Sequence, residues 1–132
     1  MAINVDLNNP NGAEKIREIF ERRTVELMRM ATIEFYRQIT ISTPVDTGRA
    51  RAGWTPSINV PSSYVPAEGK YSMPSWPKLG TITVSDTVYI TNNVPYIKRL
   101  NNGYSQQAPA RFVEQAAARV QNSISVIAKK IK

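Results

Sequence analysis

Neither cysteine nor histidine occurs in the 132 residues of this chain. Without cysteine there is no disulfide, no thiolate nucleophile and no cysteine ligand for zinc. Without histidine the chain lacks the commonest general base, the commonest metal ligand and any Ser-His nucleophilic pair. Carboxylates remain as the only common catalytic groups, and no pattern among them indicates a site. We therefore expect no enzymatic activity, no cofactor and no bound metal.

Long apolar runs are also missing, and acidic residues are scarce in the second part of the chain. No stretch approaches the roughly 18 apolar residues that indicate a membrane-spanning helix. Residues 1–46 hold six basic and seven acidic side chains, a net charge of −1, whereas residues 47–132 hold eleven basic and three acidic ones, a net charge of +8. This asymmetry indicates an acidic partner surface or nucleic acid. The length fits a single domain spanning residues 1–132.

The segment between residues 43 and 54 predicts a junction between a helix and a strand. Pro44 disfavours the α conformation at the preceding residue, so a helix should end there. Asp46 and the threonine after it are turn formers, and Gly48 accepts a positive φ without steric cost. Trp54 is a bulky aromatic suited to a sheet packed against a helix. We expect Pro44, Asp46, Gly48 and Trp54 to hold the fold together.

The Asp-Thr-Gly triplet at residues 46–48 has an alternative interpretation. Aspartic proteases carry such triplets, and their two catalytic carboxylates share a proton. This chain has one copy, and Arg49 and Arg51 beside it would favour the ionised carboxylate. We interpret the triplet as a structural turn, with a small hydrolase using Asp46 as the alternative.

Residues 13–42 predict a long N-terminal helix. Apolar side chains recur there at steps of three and four residues, and an i,i+4 pair of Glu18 and Arg22 should stabilise the exposed surface. About 30 residues of helix span roughly 45 Å, which exceeds what a small compact domain needs. One end would then project towards a partner; alternatively, the helix bends near Thr32 and lies across the sheet.

Residues 108–131 predict a C-terminal helix with an apolar stripe. Lys129, Lys130 and Lys132 follow its last turns, where cations complement the negative end of the helix dipole. These lysines serve solubility and capping, or they contact DNA or an acidic partner. Residues 1–12 form an N-terminal arm that either frays or adds to a neighbouring sheet or subunit, and residues 94–104 predict a short helical turn.

Residues 50–92 predict the sheet region. Its strands would lie at residues 50–60, where Pro56 favours an edge position, and at residues 80–92. The second stretch is either a hairpin turning at Ser85 and Asp86 or one longer bent strand. The resulting fold class is α+β, with the long N-terminal helix and the C-terminal helix packed on a small, mainly antiparallel sheet.

Residues 61–79 form an insertion rich in proline, serine and aromatic residues. A long irregular loop in a small domain is uncommon and usually functional. Tyr64, Tyr71 and Trp76 are candidates for contact with a protein partner, because aromatic side chains anchor interfaces. Two alternatives are a loop folded back on its own domain and a loop that stacks on single-stranded nucleic acid.

The order of these elements resembles the tail-completion, or neck, proteins of tailed bacteriophages, which join head to tail. In that family a long helix runs into a Thr-Pro-x-Asp-Thr-Gly-x-Leu turn, matched by residues 43–51 with Ala50 in place of the bulkier residue. A later Asn-x-x-Pro-Tyr-Ala-x-x-x-Glu-x-Gly segment is matched at four positions, but Ile97 replaces its small residue and Asn101 its acidic one. The matched positions are Asn92, Pro95, Tyr96 and Gly103. A Pro-Phe pair near the start of the last helix is half matched, by Phe112.

The resemblance covers most of the chain outside residues 61–79. It implies a structural virion protein without enzymatic activity, made in the host cytoplasm and placed in the neck of the particle. Such a subunit assembles as a homo-oligomeric ring, often a hexamer, between the portal or connector and the tail, beside other neck, connector and tail proteins. Non-specific contact with DNA in the lumen would suit its basic half. A basic nucleic-acid-binding accessory protein is the alternative function.

Overall fold

The computed structural model of this chain describes residues 11–45, 48–69, 71, 75–103 and 110–131. Within them the fold class is α+β, as predicted from the sequence. The helices are α1 (Gly12–Ser42), α2 (Arg49–Ala52), α3 (Ile97–Asn101), α4 (Phe112–Asn122) and α5 (Ile124–Lys129), and the strands are β1 (Thr55–Ile58) and β2 (Val88–Thr91). A single 3₁₀ turn, Leu79–Thr81, precedes β2. The first ten residues of the predicted arm lie outside the described residues.

Helix α1 confirms the predicted long helix, and its two halves differ in burial. It runs for 31 residues without interruption, and apart from Gly12 its buried residues are Thr32, Tyr36 and Ile39, all in its second half. The first half carries mostly exposed side chains, including Phe20, which is 66% exposed. The second half of α1 therefore belongs to the body of the protein, and the first half extends beyond the core.

The core lies where α4 and the start of the sheet meet the second half of α1. Its central cluster consists of Tyr36, Ile39, Trp54, Phe112 and Ala116, with half-buried apolar side chains packed around it. Burial of this apolar area is the main force that holds the helices on the sheet, since each fully buried large side chain contributes about 1.5–3 kcal/mol.

The predicted C-terminal helix is divided into two. Helix α4 ends at Asn122 and α5 begins at Ile124, with Ser123 at φ −93° and ψ −2° between them. The Ser123 hydroxyl donates to the Arg119 carbonyl at 2.8 Å, a local bond of the kind that competes with regular helix. The apolar stripe survives the break, because Val120 and Ile127 are both buried.

Among the described residues the sheet is antiparallel and has two strands, but the hairpin predicted within residues 80–92 is wrong. β2 pairs with β1, in a register that places Thr55 opposite Thr91 and Ile58 opposite Val88. Residues 83–86 form a turn rather than a strand pair, in which the Asp86 carboxylate accepts the Thr83 N–H at 2.7 Å. The single bent strand is wrong for the same reason. Pro56 does lie on an edge strand, since both strands of a two-stranded sheet are edges.

Asn59 follows the last residue of β1 and connects it to the turn before β2, at a position that the sequence predicted to be part of a strand. Its φ is +66°, a left-handed conformation that asparagine tolerates better than most residues. Its side chain donates to Asp86 at 2.9 Å and accepts the Thr87 N–H at 2.8 Å. The first strand is also shorter than predicted, because residues 49–52 form α2. The short helical turn predicted at residues 94–104 is confirmed by α3, and Gly103 after it has φ +101°.

Two phenylalanines provide a matched test of this distribution of burial. Phe112 is 1% exposed in the core and Phe20 is 66% exposed on α1. Phe112→Ala should lower the free energy of unfolding by about 3–5 kcal/mol, because it removes a buried ring and leaves a cavity. Phe20→Ala should change it by less than about 0.5 kcal/mol. Urea denaturation of the monomeric protein measures both, and equal losses would contradict the fold.

Candidate interaction site

The junction between α1 and the sheet is centred on a buried hydroxyl. Thr43, 1% exposed, donates its hydroxyl to the Ile39 carbonyl at 2.6 Å. The same oxygen accepts the indole N–H of Trp54 at 2.8 Å. One polar atom thereby ends α1 and fixes the ring that enters the core. A buried N–H without an acceptor costs about 1–3 kcal/mol, so this pairing is strongly constrained.

The residues predicted to hold the turn are found in structural positions. Pro44 is buried after the last turn of α1, and Gly48 has φ +90°, in the region that favours glycine. Trp54 is buried in the core. Asp46 lies outside the described residues, so its predicted part in the turn and its alternative as a catalytic carboxylate both stay predictions.

Two arginines of the turn bind backbone carbonyl groups. Arg51 donates to the carbonyls of Thr43, at 2.9 Å, and Ile41, at 3.3 Å. A cation at this position also complements the negative end of the α1 dipole. Arg49 donates through Nε to the Pro66 carbonyl at 2.9 Å and lies 3.7 Å from the carboxylate of Glu68. From the sequence, both arginines were expected only to favour the ionised form of Asp46.

The segment around Asn92 connects the sheet to this junction. The Asn92 side chain donates to the Ala50 carbonyl at 2.7 Å and accepts the Val94 N–H at 3.0 Å. Position 53 requires glycine, because a Cβ there would lie 2.7 Å from both the Asn92 Oδ1 and a Val94 methyl group. The adjacent Asn93 donates to the carbonyl of Ser62 at 2.6 Å, which holds the start of the long loop.

Asn101 connects α3 to the first turn of α4. Its Oδ1 accepts the Val113 N–H at 2.9 Å, and its Nδ2 lies 3.0 Å and 2.9 Å from the two carboxylate oxygens of Glu114. The hydrogen bond from the Asn101 side chain is the largest cause that lowers the pKa of Glu114. The amide thus accepts a hydrogen bond from a helix N–H and donates one to a carboxylate. An ionised acidic side chain at this position could only accept, because it has no donor.

The three aromatic residues predicted to contact a partner differ in their surroundings. Trp76 packs edge-to-face against Tyr36 of α1, with ring centroids 4.8 Å apart, yet remains 39% exposed. Tyr71 is half-buried, and its hydroxyl accepts the Gly69 N–H at 3.2 Å. Tyr64 is exposed. With Pro66 fully buried, part of the loop folds back on its own domain, and partner contact through these aromatics stays a prediction.

Exposed apolar side chains on α1 form the second candidate surface. Ile33 and Ile41 lie on the side of α1 away from the core, and Phe20 lies on the first half, which the core does not reach. Ile16 and Ile19 are half-buried beside it. Contiguous exposed apolar patches are typical of surfaces that other proteins cover, and Phe20 with Ile16 and Ile19 is the candidate patch, because these three residues lie within about one turn of α1.

One of the C-terminal lysines, Lys130, lines a cleft together with arginines of α1. Lys129 and Lys130 are exposed at the end of α5, whereas Lys132 lies outside the described residues. An open cleft of about 340 Å³ separates this end from α1. Its lining residues are Arg22, Arg23, Glu26, Arg29, Met30, Lys130 and Ile131. The sequence predicted only an ion pair for Arg22, and its helical pattern does not reveal that the C-terminal end of the chain lies beside it.

The described residues contain no group of three or more histidine, cysteine, aspartate or glutamate side chains that could hold a metal ion. Among the same residues no helix is long and apolar enough to cross a membrane. Comparisons with protein-family models, curated proteins and solved structures find no match.

The hydrogen bond between Thr43 and Trp54 gives the first prediction for this site. Thr43→Val keeps the side-chain shape but leaves the buried indole N–H without an acceptor, so the free energy of unfolding should fall by about 1–3 kcal/mol. Thr24→Val is the matched control, since the Thr24 hydroxyl also donates four residues back, at 2.8 Å, but on an exposed surface. Its effect should stay within about 0.5 kcal/mol. Equal effects in urea denaturation would contradict the role of the indole bond.

The contact between Asn101 and Glu114 predicts a dependence on pH. In the natural chain the pKa of Glu114 is lowered, so this contact stabilises the fold above the ordinary glutamate pKa and the gain is lost as the pH falls. Asn101→Asp replaces the donor with a second carboxylate, which repels Glu114 when both are ionised. The melting temperature of the variant should therefore lie furthest below that of the natural chain at pH 7 and approach it near pH 4. A difference independent of pH would contradict the contact.

Proposed function

We propose that this chain is a structural virion protein of a tailed bacteriophage, acting as a neck or tail-completion ring subunit that joins the portal or connector to the tail. It is made in the host cytoplasm and acts in the particle through contact surfaces, without bond-breaking chemistry. Its partners are copies of itself in a closed ring, which is often a hexamer in the family that the chain resembles, together with neighbouring neck, connector and tail proteins.

Support comes first from the residues that carry the resemblance. The Thr-Pro turn ends α1, Asn92 fixes the segment that follows the sheet, and Phe112 fills the core at the start of α4. Each motif thus has a physical role at a connection between elements. Motifs with such roles can persist in a family whose surfaces diverge, so the resemblance is compatible with a shared fold.

The observation that carries the proposal is the first half of α1. It extends past the core and exposes Phe20, with Ile16 and Ile19 beside it. A ring subunit needs two different faces that bind successive neighbours, and a projecting helix reaches a neighbour without distorting the body. An apolar surface of this kind gains free energy when a second subunit removes it from water.

The alternative is a free-standing nucleic-acid-binding accessory protein, which the net charge of +7 favours. It predicts a monomer that binds DNA by itself. Native mass spectrometry of the full chain, alone and with its neck neighbours, separates the two functions. We expect a closed ring. The neck role would be contradicted if the chain stays monomeric under both conditions and is absent from purified particles.

A substitution on α1 tests the surface itself. Phe20→Glu should weaken assembly at least tenfold in subunit dissociation constant, because a charge would be buried where an aromatic anchor was expected. Val60→Glu is the matched control: this side chain is 70% exposed, but on the turn after β1. Analytical ultracentrifugation measures both variants. Unchanged assembly of Phe20→Glu would show that this part of α1 is not an interface.

A further inference from the structure

Cations from the two ends of the sequence converge on the cleft between α1 and the end of α5. Arg22, Arg23 and Arg29 come from α1, and Lys130 comes from a position about a hundred residues later. Glu26 is the one acidic residue in the lining, and Met30 and Ile131 are the apolar ones. At neutral pH the lining therefore carries four positive charges and one negative charge.

Two of these arginines, Arg22 and Arg23, form no ion pair among the described residues. Arg17, Arg29 and Arg37 each form an ion pair with a glutamate three residues earlier. The residues three positions before Arg22 and Arg23 are Ile19 and Phe20, which offer no carboxylate. Glu26 follows both arginines but pairs with Arg29, and the predicted pair of Glu18 with Arg22 is not formed among the described residues. Both guanidinium groups are exposed.

A row of cations continues from the cleft along α1. Lys15, Arg22 and Arg29 are seven residues apart, so they lie on nearly one face of the helix at intervals of about 10.5 Å. Lys15 is exposed. A single carboxylate side chain could pair with only one of these cations, whereas an extended polyanion can contact all three.

The chemistry of the cations also favours phosphate. Guanidinium groups bind phosphate oxygens through paired N–H donors, and their charge persists at all physiological pH values. Contacts of this kind bind the backbone of nucleic acid without reading its sequence. A positively charged cleft also raises the local concentration of a polyanion and speeds its association.

We propose that the cleft lined by Arg22, Arg23, Arg29 and Lys130 is a binding site for the phosphodiester backbone of nucleic acid. The site binds without sequence preference. It does not depend on ring formation, so it holds whether or not the chain is a neck subunit.

The test is the salt dependence of binding by the full-length protein. The probe is a fluorescent DNA duplex of mixed sequence, titrated by anisotropy between about 50 and 200 mM salt. Each phosphate neutralised contributes about −0.9 to the slope of log affinity against log salt concentration. The double variant R22Q/R23Q should therefore reduce the magnitude of the slope by nearly 2 and weaken binding at low salt. R22K/R23K, which keeps both charges, should retain the slope of the natural chain.

The matched control is K98Q/R99Q, which removes two adjacent basic side chains from α3, outside the cleft. It should leave the slope within about half a unit of the natural value. An equal loss in this control would mean that binding follows net charge, and it would overturn the proposal, as would a natural chain that does not bind the duplex. Poly-L-glutamate serves as the competing probe. If it binds more tightly than DNA at equal salt, with the same dependence on Arg22 and Arg23, the cleft is a site for acidic protein instead.

Discussion

The hydroxyl of Thr43 is the point on which the arrangement of helix and sheet depends. It has one proton to give and gives it to the Ile39 carbonyl, while its oxygen accepts the indole N–H of Trp54. Both bonds are buried, so neither can be exchanged cheaply for water. The direction in which the chain leaves α1 is thus coupled to the position of the largest ring in the core. Arg51 strengthens the coupling by binding the Thr43 carbonyl from the other side of the turn.

The helices could be predicted from the sequence because their signal is local. Apolar side chains repeat at steps of three and four residues, and proline and glycine mark where the repeats stop. The antiparallel sheet within residues 50–92 was predicted as well, but its strand bounds were not, because the turn residues beside it are fixed by a contact between Asn59 and Asp86, which are 27 residues apart. Alternation of threonine with valine or isoleucine indicated strand over residues 80–92. That alternation cannot reveal that Thr83 binds Asp86 in a turn instead.

The junction between α1 and the sheet was predictable only at positions where the residue type itself limits the backbone or the packing. Proline and tryptophan identified the junction, and Gly48 has the positive φ expected of it. The partners of Arg49, Arg51 and Asn92 are backbone carbonyls, which every residue possesses and no sequence pattern can distinguish. Asn101 is the instructive case. Where the resemblance leads one to expect an acid, an amide both caps α4 and binds a glutamate.

The two halves of helix α1 carry different surfaces. Towards its end, Tyr36 and Ile39 are covered by α4 and the sheet, and Glu34 pairs with Arg37, which lowers the glutamate pKa to about 2. Towards its start, Phe20 is exposed, and Arg22 and Arg23 form no ion pair among the described residues, although Glu18 and Glu26 each lie four residues from Arg22. The proposed apolar contact with a subunit and the proposed cationic cleft for a polyanion therefore depend on the same half of one helix, because Phe20 and Arg22 are only two residues apart.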